Sequence, residues 1–339
     1  MAFAQKSVKK AEADFQTGLR YYMLKDYHKA LALFQQAANE GNSNGQLYLA
    51  TMYFNGQGVI QDYKKAFDWY MKAADQINTQ AQFQVGLMYY EGLAVAKNEK
   101  KAAEWIEKAA KLGNPDAQFF YGSMLEKGLG VPRNAPKAAE YFQLSSASGN
   151  DEAQLSLGIL YYTGDGVEQD YIKALELFTK ASQQQNPEAF IWLSKQYEAG
   201  AGVPKDRVKA MEYLQKAANL ESPKAQFMLA MKYVNEVKDY KSASGWLLKA
   251  GAASYPDAEY YIGFALENGF IFKKDVEQAV EWYKKAANHN QHEAQYSLGL
   301  LYLNPKMSFY NQAEAVKWLR MAADTGYQPA IEMLKQHQK

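Results

Sequence analysis

The chain has no cysteine in its 339 residues. That excludes disulfides, thiolate nucleophiles and cysteine-ligated metal, and is compatible with any redox compartment. Histidine is scarce as well, with only His28, His289, His292 and His337, and no nucleophile–base grouping forms around them. His289, His292 and Glu293 make a short His-x-x-His without a third ligand nearby in sequence, so the metal reading lacks a coordination set. Excess charge is missing: 38 Lys+Arg against 37 Asp+Glu leave a net +1. Such a balance gives no electrostatic basis for binding nucleic acid or an anionic membrane. No stretch approaches the roughly 18 apolar residues of a membrane span. Alternating β-branched runs are absent too, so nothing competes with helix.

What the chain has is repetition. An alanine recurs every 36 residues at Ala81, Ala117, Ala153, Ala189 and Ala225, with Gly45 in phase one period earlier. The step contracts to 33 at Ala258 and returns to 36 at Ala294 and Ala330, while Ala13 opens a first unit of 32. A period in this range means a repeat array rather than one globular core. Within the unit from Ala81, Phe83, Val85, Leu87, Met88 and Tyr89 set one helix, A. Ala102, Trp105, Ile106, Ala109 and Ala110 set a second, B. Both spacings are helical.

The punctuation has physical reasons. Gly56, Gly92, Gly128, Gly164, Gly200 and Gly269 stand where helix A needs a left-handed cap. A second small residue follows at Gly58, Ala94, Gly130, Gly166 and Gly202, then a valine. Asp62, Asn98, Asp170, Asp206 and Asp239 suit the start of helix B, and Pro115, Pro187, Pro223 and Pro256 suit the first turn of helix A. Small residues inside helix A (Gly18, Ala50, Gly86, Gly122, Gly158, Ser194, Ala230, Gly263, Gly299) imply a neighbouring helix packed on bare backbone, since glycine there costs about 1 kcal/mol. The core is expected at two aromatic columns. One is Tyr21, Tyr53, Tyr89, Tyr161, Tyr197, Tyr233 and Tyr302. The other is Trp69, Trp105, Tyr141, Tyr213, Trp246, Trp282 and Trp318.

AQFQVGLMYYEGLAV…KAAEWIEKAA and QLYLATMYFNGQGV…DYKKAFDWYMKAA resemble Sel1-like repeats, relatives of the tetratricopeptide repeat with a longer Gly-x-Gly-Val loop. The likeness runs from about Ala13 to Ile331. It implies an all-α, right-handed α-solenoid superhelix with a concave face lined by A helices. The expected division is a tail or helix start at 1–12, a tetratricopeptide-like unit at 13–44, and five regular repeats at 45–224. Three repeats with irregular loops at 225–329 and a capping helix at 330–339 complete it. The unit from Ala225 lacks Gly-x-Gly, and Ile271 replaces a small residue where a β-branched side chain resists positive φ. Altered curvature or twist is expected near 222–275.

No chemistry-bearing motif survives inspection. Gly56-Gln57-Gly58 follows a helix and lacks the strand and Gly-Lys-Ser/Thr of a phosphate loop. Asp165, Glu168 and Asp170 lack calcium-loop spacing and read as solvated loop charges. Hydrolytic activity tied to cysteine-rich members of the family has no counterpart in a cysteine-free chain. The expected protein is therefore a non-enzymatic scaffold without cofactor or metal, a monomer that binds a partner peptide or small domain. The binding residues are sought where the columns stop repeating, on the helix-A positions facing the groove: Phe54, Leu87, Tyr90, Glu126, Ile159, Tyr162, Glu198, Met231 and Phe264. A glycan or cell-wall binder using tyrosines as stacking platforms is the alternative, and a hydrolase ranks last. Ala2-Phe3-Ala4 has the form of a signal-peptidase site, so a secreted or periplasmic bacterial protein that engages host proteins is expected, with a cytoplasmic one as alternative.

Overall fold

The computed structural model describes residues 2–337, and side chains from 8 to 336. The side chains of Ala2, Phe3 and Ala4, and the last two residues of the expected capping helix, lie outside the described residues. The chain forms two compact units, Met1–Gln184 and Gln185–Lys339. The described residues are all-α: antiparallel helix pairs stacked as a solenoid within each unit, with no strand.

The first unit pairs α1 (Ala2–Met23) with α2 (Tyr27–Asn39), α3 (Ser43–Asn55) with α4 (Tyr63–Asp75), and α5 (Thr79–Glu91) with α6 (Glu99–Lys111). It continues with α7 (Pro115–Lys127) and α8 (Ala135–Ala147), then α9 (Asp151–Thr163) and α10 (Tyr171–Gln183). The second unit pairs α11 (Pro187–Ala199) with α12 (Arg207–Asn219) and α13 (Pro223–Lys232) with α14 (Tyr240–Ala252). Then come α15 (Pro256–Asn268) with α16 (Val276–Asn288), α17 (His292–Leu303) with α18 (Gln312–Asp324), and finally α19 (Gln328–His337). Between α13 and α14 the missing Gly-x-Gly loop is replaced by a π-helical turn, Tyr233–Val237.

Each helix starts and stops for a local reason. Asp62, Asn98, Asp170, Asp206 and Asp239 accept from backbone N–H groups of the first turn, as expected. A second cap column was missed in the sequence. Asn42, Asn78, Asn114 and Asn150 cap the A helices by accepting from the N–H of residue 45, 81, 117 or 153. Each such cap is worth about 1 kcal/mol. The prolines sit in the first turn of α7, α11, α13 and α15. Gly56, Gly92, Gly128, Gly164, Gly200 and Gly269 close the A helices in the left-handed region, with φ between 68° and 77°. Ile271 is absent from the positive-φ residues, in line with the resistance of a β-branched side chain to that region.

The alanine columns are core. Ala81, Ala117, Ala153, Ala189, Ala225, Ala258, Ala294 and Ala330 are all 0% exposed. Ala13 is exposed, because no B helix precedes α1 among the described residues. The aromatic columns need correcting. Tyr21, Tyr53, Tyr89, Tyr161, Tyr197 and Tyr233, with Trp69, Trp105, Tyr213, Trp246 and Trp282, are only half-buried, and of the fourteen only Tyr141, Tyr302 and Trp318 are buried. The large side chains of the interior come one residue after the column that holds Trp69, Trp105, Trp246, Trp282 and Trp318: Phe34, Tyr70, Ile106, Phe142, Phe178, Leu214, Leu247, Tyr283 and Leu319, none above 2% exposed. One residue rotates the side chain by about 100° around the helix, which turns the tryptophan edge outward. Lysines cover it: Lys72 lies 3.7 Å from the Trp69 ring centroid and Lys285 3.9 Å from Trp282, contacts worth about 0.5–1 kcal/mol each.

The interior column explains the helix-A glycines. A Cβ added at Gly122 would stand 2.7 Å from the Phe142 ring, and one at Gly158 2.7 Å from Phe178. The bare backbone is a socket for the large B-helix side chain of the same repeat. A buried glutamine column ties successive repeats: Gln46, Gln82, Gln118, Gln226 and Gln295 donate to Ala38, Ala74, Ala110, Ala218 and Ala287 carbonyls in the last turn of the preceding B helix. The same carbonyls also accept from the backbone N–H of Gly41, Ile77, Gly113, Glu221 and Asn290 in the turn that follows, so the glutamine uses their second lone pair.

Two predictions follow from this packing. Gly122→Val forces a β-branch into the Phe142 ring and destabilises by about 2 kcal/mol or more; urea unfolding measures it, with partial recovery in Gly122→Val/Phe142→Leu. Ile77 holds φ 64° in the turn between α4 and α5 while 65% exposed. Ile77→Gly relieves that conformation and raises stability by about 1 kcal/mol, read from the same transition.

Candidate partner-binding face

The positions six and nine residues after the opening alanine share one helix-A face with the position three after it, because residues three apart lie one above another on a helix. The nine expected contact residues are all at least partly accessible: eight are half-buried and Phe264 is 39% exposed. They do not stand free as a strip, however. The aromatic ones are held edge-on by other rings. Phe54 meets Tyr63 at 5.1 Å between centroids, and Tyr162 meets Tyr171 at 5.2 Å. Tyr63 and Tyr171 are the first residues of α4 and α10, so the start of each B helix props the ring presented by its A helix. Tyr90 instead packs against Phe120 of the next A helix at 5.3 Å, and Tyr22 against Tyr48 at 5.6 Å. Leu87 rests on the same core cluster as Tyr90. In the second unit Phe264 contacts Tyr260, Tyr261 and Phe270.

The sequence reading missed Tyr22, Tyr48 and Phe120. Tyr22 occupies, in the first repeat, the column that Phe54, Tyr90 and Tyr162 continue, and Phe120 follows from three-residue spacing alone. Trp192 belongs to the same set, with Lys195 4.2 Å from its ring centroid. Burial beside that ring pushes the Lys195 ammonium below the usual lysine range.

Polar groups anchor the face from below. The Tyr70 hydroxyl lies 3.0 Å from the Thr51 hydroxyl, and burial pushes its pKa up to about 12. At the corresponding place in the second unit, the Tyr283 hydroxyl donates to Glu267 at 2.7 Å. The two expected carboxylates differ. Glu126 makes no ion pair among the described residues, and desolvation by burial pushes its carboxyl above the usual range, helped by the Asp165 charge. Glu198 is committed to Lys232 at 2.6 Å. Lys232 stands in a column that reads Met52, Met88, Met124 and Leu160 in the first unit, all buried. Burial works against its charge, but Glu198 and Glu236 outweigh it and the net shift is upward.

The remaining sequence candidates are structural. Asp170 caps α10, and Asp165 pairs with Arg133 across adjacent loops, so these are not simply solvated charges: the stacked loops bring one repeat's arginine onto the next repeat's aspartate. His289 Nδ1 lies 2.8 Å from Glu259, a carboxylate only 2% exposed in the glutamine column. His292 lies 3.2 Å from Glu293. No group of three metal-ligating side chains occurs among the described residues.

The Sel1 repeat model matches residues 15–42, 43–78, 79–114, 115–150, 151–186, 187–222, 256–291 and 292–327. The chain belongs to the Sel1 repeat family. A crystal structure of a protective antigen from uropathogenic Escherichia coli strains, displaying an SLR fold, is 30% identical with a TM-score of 0.69, over 96% of this chain and 72% of that one. A Sel1 repeat protein from Oxalobacter formigenes is 30% identical with a TM-score of 0.68, over 89% of this chain and 90% of that one. No curated protein matches the chain. The Sel1 matches leave out residues 223–255, which hold the short repeat and its π-helical turn. None of the described helices is long and apolar enough to cross a membrane.

The raised carboxyl of Glu126 gives a pH prediction. An acid whose pKa is raised on folding costs stability when ionised, so the cost is present at neutral pH and disappears as the group protonates. Glu126→Gln should raise the urea midpoint at pH 7, and the gain should shrink to nothing as pH falls below the ordinary glutamate range. An equal gain at all pH values would show that ionisation is not its source.

Proposed function

We propose that this Sel1 repeat protein is a non-enzymatic interaction scaffold whose helix-A face, the concave side of the repeats, holds a peptide or small domain of a partner protein. The observation that carries this reading is the column Tyr22, Phe54, Tyr90 and Tyr162. Its rings are half-accessible, and neighbouring aromatics already fix their orientation. A ring held in place loses little further rotamer freedom on binding, so its apolar area contributes to affinity at low entropic cost. Leu87, Ile159, Met231 and Phe264 supply adjoining apolar surface. Glu126 supplies a half-buried carboxylate without an ion pair, which a basic residue of the partner would discharge. Repeat folds of this kind commonly serve as protein–protein scaffolds, and the absence of a nucleophile–base grouping in the sequence favours binding over catalysis.

The expected outcome for Tyr90→Ala/Tyr162→Ala is a loss of partner affinity of about 100-fold, from two truncated anchors at roughly 1–2 kcal/mol each, with the helical circular-dichroism spectrum retained. A pull-down from host and bacterial lysates with wild-type protein provides the partner, and titration with both proteins provides the comparison; unchanged affinity would move the site off this face. We extend the proposal to an exported bacterial protein, supported by Ala2-Phe3-Ala4 and by the likeness to a protective antigen of a pathogen. Fractionation of the source cells tests this, and protein confined to the cytosol would contradict it.

A further inference from the structure

The sixth residue after the opening alanine lies on the helix-A face. In the other helix pairs it is Leu, Ile, Met, Phe, Ser or Thr, and only Lys195 carries a charge there. Packing therefore does not require a cation at this place. Lys195 is half-buried, and its ammonium lies 4.2 Å from the centroid of the Trp192 ring. The ammonium makes no hydrogen bond and no ion pair among the described residues. The carboxylates near it are committed to other lysines: Glu188 to Lys224 at 2.7 Å, and Glu198, three residues on, to Lys232 at 2.6 Å. Burial disfavours the Lys195 charge, the Lys224 ammonium adds to that, and Glu188 opposes both. A half-buried cation without an acceptor costs stability that an apolar residue in the same place would not. What the ring face leaves missing is a counter-anion.

We propose that Lys195 reads an acidic side chain of the partner held on the helix-A face. The proposal rests on the helix-A face reading and adds the chemistry of the occupant: a segment with an aspartate or glutamate next to apolar residues. The carboxylate accepts a charge-assisted hydrogen bond from Nζ, shorter and stronger than a neutral one. The contact with Trp192 already places the ammonium, so little freedom is lost when the pair forms. Its burial in the free protein means that part of the desolvation precedes binding, and that salt screens the pair less than one on open surface. The apolar neighbours of the acid have surface to cover: Trp192 itself, and Met231 and Phe264, which hold the Lys195 position in the next two repeats. Because that column continues past Lys195, the main chain of the segment runs on, and the carboxylate comes from a side chain rather than a chain end. A lysine or arginine of the partner is repelled at the same point, so charge selects the occupant.

The probe is the peptide Ser-Leu-Glu-Leu-Leu-Ser, acetylated and amidated so that glutamate is its sole charge, titrated against the full protein by calorimetry beside its glutamine counterpart. Saturable binding of the glutamate peptide is expected, with the glutamine peptide at least about tenfold weaker and the difference shrinking as salt rises. In Lys195→Met the two peptides should bind alike, and Lys195→Arg should keep the preference for glutamate. Methionine is the residue of the next repeat at this position, so Lys195→Met retains the fold, as circular dichroism will report. Equal binding of the two peptides by the wild type would overturn the role of Lys195 and leave the face standing as a binding surface. A preference that survives in Lys195→Met would overturn it as well. So would a glutamine peptide with a free C-terminus that binds as tightly as the glutamate peptide, since the lysine would then read a chain end. No saturation by any of these peptides at millimolar concentration also overturns the inference; the lysate partner, titrated against Tyr90→Ala/Tyr162→Ala, then judges the face by itself.

Discussion

The contact between a helix-A glycine and the large B-helix side chain twenty positions later in regular repeats sets the distance between the two helices of a pair. A Cβ at Gly86, Gly122, Gly158, Gly263 or Gly299 would collide with Ile106, Phe142, Phe178, Tyr283 or Leu319. The socket brings the backbones close enough for the small alanines of both helices to be wholly buried. Each repeat then exposes one apolar flank, which the next repeat covers. The glutamine column and the asparagine caps add directional contacts on that flank, so register between neighbours is fixed by hydrogen bonds as well as by shape.

The candidate binding face is a consequence of the same arrangement. Large residues that cannot enter the socket are placed at its margins. The tryptophans turn outward beneath lysines, while Tyr22, Phe54, Tyr90 and Tyr162 turn to the helix-A face and are braced by rings from the next element. Where the repeat loses its connector, two consequences appear together. Lys232 occupies a column held by methionine or leucine in the first unit, and a cavity lined by residues of α12 opens beside it. A polar residue in a core column and a shortened repeat are both visible in sequence. Their meeting at one cavity is not.

Much of the fold was legible because it depends on local chemistry repeated many times. Glycine at the left-handed cap, Asp or Asn at the start of helix B, and proline in the first turn of helix A carry their reasons within a few residues. The two aromatic columns were misassigned to the deepest core because periodicity identifies a helix face only to within about one residue, or 100° of rotation. Which of Trp105 and Ile106 points inward depends on Gly86, nineteen or twenty residues away in sequence. The geometry of the candidate face was legible in the same measure. Column spacing gave Tyr90 and Tyr162, but their partners Phe120 and Tyr171 belong to other helices, and the pairing of Glu198 with Lys232 spans two repeats.

The sequence by itself determined that this protein is an array of helix pairs, where the B helices begin and most A helices end, and which repeat departs from the rest. These properties follow from backbone conformations and caps satisfied within a single turn or helix. Only the tertiary structure decided which aromatic fills the socket, which carboxylate stays unpaired, and where the shortened repeat leaves a cavity. Those outcomes depend on side chains from separate repeats competing for the same space, and no single repeat contains that information.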